Sequence, residues 1–130
     1  MSIFFVQLVY AVYLWHYHID INEISDRYIV LDLDKFDVAG EIKQSYCILD
    51  ASAIPLGEMP EIQHWTKNHN KIIENYHKRN WNFVTEMCDH IRNRWGGELV
   101  TFYDDIKKRA EEYSKRTDLG EEWTGVIKRF

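Results

Sequence analysis

The chain has 130 residues and a formal net charge of −5, with 45% hydrophobic and 28% charged residues. That balance belongs to a soluble globular chain long enough to bury a core, and it argues against general nucleic-acid binding, which needs a basic surface. Residues 1–62 hold three Lys/Arg against ten Asp/Glu, and residues 63–130 thirteen against eleven; such polarity either steers head-to-tail association or leaves two solvated surfaces of different sign.

Residues 3–15 form an apolar run, and the first acidic or basic residue is Asp20. A membrane span needs about 20 apolar residues, whereas this run contains Gln7 and soon meets His16 and His18. No basic segment or small-residue cleavage site marks a secretory signal. The Phe, Val, Tyr and Ile content favours a buried strand. A membrane or interfacial helix over residues 3–19 and a soluble buried helix are the other readings.

Residues 20–26 read as a turn and residues 27–33 as a strand, closed by Asp34-Lys35-Phe36-Asp37. Gly40 marks another turn, residues 45–50 a third strand, and residues 54–60 a linker containing Pro and Gly. The front is therefore a small antiparallel sheet that needs a cover on its apolar face.

Three amphipathic helices supply that cover. Ile62, Trp65, His69, Ile72 and Tyr76 recur at helical spacing, as do Trp81, Val84, Cys88, Ile91 and Trp95, and then Leu99, Phe102, Ile106, Ala110 and Tyr113. Each set lies on one side of a helix. Pro60 suits the first helical position, Asn80 the cap of the second helix, and Gly96 or Gly97 its left-handed end. The third helix runs from about Glu98 to Lys115, and the tail folds Trp123 back onto the helices. The expected fold is α+β: a small N-terminal antiparallel sheet, then an antiparallel three-helix bundle. One domain is expected, β-rich over 1–53, linked by 54–60 to a helical part over 61–130.

Cys47 and Cys88 show neither a metal-binding spacing nor a disulfide framework, and Cys88 falls on an apolar stripe as a small core residue. A reducing cytoplasm is the expected location. Five Trp and eight Tyr suit both a small core and a buried protein contact.

The segment Asn75-Tyr76-His77-Lys78-Arg79-Asn80-Trp81-Asn82 resembles the helical tail that follows the catalytic domain in many bacterial class III adenylate and guanylate cyclases. That tail reads Tyr, Arg-Asp-Trp-Asp, a helix, a Tyr in a further helix, and a closing Trp-Asp-Gly-Val. The matching positions are Tyr76, Arg79-Asn80-Trp81-Asn82, Phe102-Tyr103 with Arg109, and Trp123-Thr124-Gly125-Val126. Ser45-Tyr46-Cys47-Ile48-Leu49 is similar to the strand preceding such tails. The helical hairpin also resembles a tetratricopeptide unit, with Thr85 where a helix-packing Ala is expected. Met59-Pro60-Glu61-Ile62 and Trp95-Gly96-Gly97-Glu98 are similar to the same features in small uncharacterised proteins of T4-like marine bacteriophages. The resemblance covers residues 45–127. It implies an accessory, tetratricopeptide-like module of phage origin in a bacterial host. The 44 residues before Ser45 are too few for a cyclase catalytic domain.

Asp32-Leu33-Asp34-Lys35-Phe36 is similar to the metal-binding strand of diguanylate cyclases, and Asp32 and Asp34 share a strand face that could hold Mg²⁺. Arg94-Trp95-Gly96-Gly97-Glu98 is similar to part of their Gly-Gly-Asp-Glu-Phe hairpin, but periodicity places it between helices. His16 and His18 share a strand face without a third ligand at fixed spacing. His69 sits on an apolar stripe, where a core histidine donating to a backbone carbonyl is the ordinary outcome. Lys78, Arg79, Arg92 and Arg94 lie near helix ends, solvated or facing phosphate or an acidic partner.

No complete catalytic set or cofactor motif emerges. The expected function is a non-enzymatic protein–protein interaction or regulatory module, binding another protein or a second copy. Trp65, Tyr76, Arg79, Trp81, Arg94, Trp95, Tyr103 and Trp123 are its candidate contact residues. The alternatives are nucleotide chemistry at Asp32 and Asp34 with Mg²⁺, and a membrane-associated accessory protein anchored by residues 3–19.

Overall fold

The computed structural model describes residues 11–12 and 28–129. The elements are β1 (Ala11–Val12), β2 (Tyr28–Val38), β3 (Glu41–Asp50), α1 (Ile62–His77), α2 (Trp81–Ile91), α3 (Val100–Ser114) and β4 (Ile127–Arg129). The fold is α+β, with a sheet ordered β1-β3-β2-β4. β1–β3 and β3–β2 pair antiparallel. β4, unexpected from the sequence, joins β2 in parallel, placing Ile127 beside Phe36. Within the N-terminal apolar run, Ala11–Val12 is a strand; the rest of residues 3–19, including His16 and His18, lies outside the described residues.

β2 continues well past Leu33, where its charged residues suggested an end. A bulge explains the difference. Asp32 pairs with Tyr46 but Lys35 with Gln44, so β2 carries one extra residue here. The extra residue reverses the alternation: Leu31 and Leu33 point inward, Lys35 outward, and Phe36 inward again. The Gln44 side-chain amide donates to the Leu33 carbonyl at 2.9 Å and the Ser45 hydroxyl to the Asp34 carbonyl at 2.7 Å. These bonds satisfy backbone groups that an irregular ladder leaves open. Ala39 and Gly40 close the hairpin with φ of 53° and 84°, the paired positive values of a type I′ turn.

On α1, His69, Ile72 and Tyr76 are buried; on α2, Val84, Cys88 and Ile91; on α3, Phe102, Tyr103, Ile106 and Ala110. α2 and α3 run in opposite directions, because Arg92 pairs with Asp104 at one end and Trp81 meets Tyr113 at the other. α1 and α3 run in the same direction, since His69 meets Tyr103 and Tyr76 meets Tyr113. The helices join Leu31, Leu33, Phe36, Cys47 and Leu49 of the sheet in one core.

α1 begins at Ile62, after a 3₁₀ segment, Leu56–Glu61, that contains Pro60. α2 ends at Ile91, a turn earlier than the apolar spacing through Trp95 predicts. Trp95 instead starts a 3₁₀ turn, Trp95–Gly97, with φ of 60° at Trp95. No helix among the described residues is long and apolar enough to cross a membrane.

Candidate interaction surfaces

The eight candidate contact residues separate into three groups. The first is internal. The Trp95 indole N–H donates to the Tyr103 hydroxyl at 2.9 Å, and that hydroxyl lies 2.7 Å from His69 Nδ1. His69 Nε2 is 2.6 Å from the Asp32 backbone carbonyl. A carbonyl only accepts, so Nε2 carries the proton and Nδ1 accepts from Tyr103. One directional chain of bonds therefore runs from the loop after α2, through α3 and α1, to the strand beside the bulge. Burial lowers the His69 pKa to about 4, against the pull of the Asp32 carbonyl, so the ring is neutral near pH 7. Burial also raises the Tyr103 pKa well above its ordinary value. Trp95, Tyr103 and Tyr76 are at most 2% exposed. As contact residues they are corrected: they organise the core and present no surface.

The shared strand face of Asp32 and Asp34, on which the alternative Mg²⁺ reading rests, is corrected by the bulge. Asp32 is exposed, whereas Asp34 turns inward and receives two hydrogen bonds from Arg109, at 3.1 and 2.9 Å. Burial raises the Asp34 pKa, against the pull of the Arg109 guanidinium. The carboxylate oxygens that a cation would need are thus already engaged. Among the described residues no group of three or more His, Cys, Asp or Glu is placed to hold a metal. Cys47 and Cys88 are buried free thiols, each pushed up to about 12 chiefly by burial.

The second group fastens the tail. Trp123 packs edge-on against Tyr76, Trp81 and Tyr113 at centroid distances of 5.6, 5.5 and 5.4 Å. Arg79 lies 5.2 Å over the Trp123 ring and donates to the Gly120 carbonyl. His77 Nδ1 donates to the Thr124 carbonyl at 3.0 Å. Gly125 has φ of 79°, and a Cβ there would lie 2.7 Å from His77 Nδ1. The closing Trp-Thr-Gly-Val is therefore a latch that leads the chain onto β4.

The third group, Trp65 and Arg94, is half-buried, with Trp65 packed against the edge of the core. Arg94 lies 4.2 Å over the Trp65 ring, and the Trp65 indole N–H donates to Glu61 at 2.9 Å. Arg94 also approaches Glu58 and Glu61 at 3.8 and 3.9 Å. Side chains three apart eclipse in a 3₁₀ helix, so Glu58 and Glu61 stack on one side of the Leu56–Glu61 segment. Leu56 and Met59 stack on another, 88% and 39% exposed. Sequence reading missed this apolar pair because Gly57 and Pro60 marked the stretch as linker; its three-residue spacing was the available signal.

The other candidate cations are engaged within the chain: Lys78 with Glu74 and Arg92 with Asp104, both at 2.7 Å. An open depression of about 450 Å³ follows the polar side of α1 past Lys67 and Lys71. Comparison with protein-family models, with curated proteins and with solved structures finds no match.

Proposed function

We propose that the protein works by binding another protein through the Leu56–Glu61 segment, with Leu56 and Met59 on one side of it and the Trp65–Arg94 stack on the side of Glu58 and Glu61. The observation that carries this reading is the exposed Leu56/Met59 pair, on a segment whose Glu58 and Glu61 also hold the Trp65–Arg94 stack. Trp and Arg are the residue types that most often anchor interfaces. Held in place by Glu58 and Glu61, they lose less side-chain freedom when a partner docks. Burying Leu56 and Met59 would add the apolar contribution. The resemblance to phage proteins and cyclase tails supports an accessory, tetratricopeptide-like role in a bacterial cytoplasm. The Mg²⁺ reading gains no support from Asp34, because Arg109 occupies its carboxylate.

Affinity purification from bacterial cells tests the proposal with wild type, Leu56→Asp, Arg94→Glu and, as a control on exposed α3 surface, Lys108→Glu. A protein retained by wild type and Lys108→Glu but lost from the other two supports it. Identical recovery by all four contradicts it.

A further inference from the structure

The latch has the features of a peptide-binding site already filled by its peptide. Two bonds, from His77 to the Thr124 carbonyl and from Arg79 to the Gly120 carbonyl, read main chain. Three rings, Tyr76, Trp81 and Tyr113, receive one large side chain, Trp123. The close approach at Gly125 admits only glycine, and residues 127–129 add a parallel strand to β2. Main-chain bonds and strand addition provide affinity, while a side-chain pocket and a steric filter provide selectivity. None of these contacts requires the segment to come from the same chain. The connection from α3 is exposed at Lys115, Arg116, Thr117 and Asp118, and the Arg116 guanidinium bonds Asp118 within that loop.

We propose that the site formed by Tyr76, His77, Arg79, Trp81, Tyr113 and the Phe36–Val38 edge takes the Gly120–Arg129 segment of a second copy of this chain. The exchanged pair keeps every latch contact and changes only the path of the connecting loop, which makes exchange a low-cost route to a dimer. In the single chain the tethered tail competes at high effective concentration. Exchange therefore becomes visible when the resident tail is weakened. The inference is independent of the Leu56/Met59 face, and either can fail alone.

Two full-length variants test it by complementation. Trp123→Ala keeps the site and disables the tail; the double variant His77→Ala/Arg79→Ala keeps the tail and disables the site. Each alone should be a monomer by light scattering, and their equimolar mixture should give a one-to-one heterodimer. A second measurement covers the case in which a variant misfolds. Wild-type chain carrying a protease site between Thr117 and Asp118 is cut, and its released tail is exchanged for a labelled peptide of residues 118–130. The wild-type peptide should bind the cut protein roughly tenfold or more tightly than its Trp123→Ala counterpart, as expected for an anchoring Trp. A mixture that stays monomeric from two folded variants overturns the proposal, as does a cut protein that binds both peptides equally or neither.

Discussion

His69 and Tyr103, from α1 and α3, share a 2.7 Å hydrogen bond in the core, and each is also tied to a further element. The Asp32 carbonyl accepts from the other His69 nitrogen, and the Trp95 indole donates to the same hydroxyl. The helices are thereby set against the bulged strand by direction as well as by apolar packing. A single hydroxyl mediates the middle of that chain. Tyr103→Phe leaves both the Trp95 N–H and His69 Nδ1 without a partner, and each orphaned buried group costs about 1–3 kcal/mol. Urea denaturation should show a loss of about 2–6 kcal/mol. A loss no greater than that of a surface substitution contradicts the relay.

Stability should also depend on His69 protonation. The folded pKa is about 4 against an ordinary 6.5, so between these values the unfolded chain binds the proton more readily. This contribution is fully present above about pH 6.5 and is lost as pH falls towards 4, by about 3 kcal/mol in all. Denaturation across this range should show that slope in wild type and a flatter one in His69→Gln. Parallel profiles would place the titration elsewhere.

Asp34 and Arg109 form the second tie between strand and helix, with Asp34 only 4% exposed at its side chain. Removing one partner strands a buried charge, so Arg109→Met should cost about 3–5 kcal/mol. The double variant Asp34→Leu/Arg109→Met should recover much of that loss. A double-mutant cycle with no coupling would show the pair to be incidental.

Ala39 adopts φ of 53° at the hairpin tip, a conformation unfavourable for a residue with a Cβ and common for Asn. Ala39→Asn should stabilise the protein by about 0.5–1 kcal/mol, read as a raised melting temperature. An unchanged or lower value contradicts the type I′ reading.

The helical half was legible because periodicity reports burial directly: His69, Ile72, Tyr76, Val84, Cys88, Ile91, Phe102 and Ile106 fell on predicted stripes and are buried. The same signal misled at Trp95, which keeps helical spacing from Ile91 but is held off the helix in a left-handed conformation. The bulge was hidden because alternation assumes an unbroken period of two, and the assumption wrongly placed Asp32 and Asp34 on one face. β4 is only three residues long and takes its place from pairing with β2, which no local pattern reveals. Among the candidate contacts, residue type could not separate the half-buried Trp65 and Arg94 from the buried Tyr76, Trp95 and Tyr103, because aromatic residues serve cores and interfaces equally.

The central functional claim is that the Leu56 face meets a protein partner. Its most direct test is site-specific photo-crosslinking in cells, with a benzophenone side chain at position 56 and, for comparison, at position 108. A discrete crosslinked species from position 56, absent from position 108 and abolished by Arg94→Glu, is the predicted result. Crosslinks no different at the two positions, or unaffected by Arg94→Glu, would contradict it.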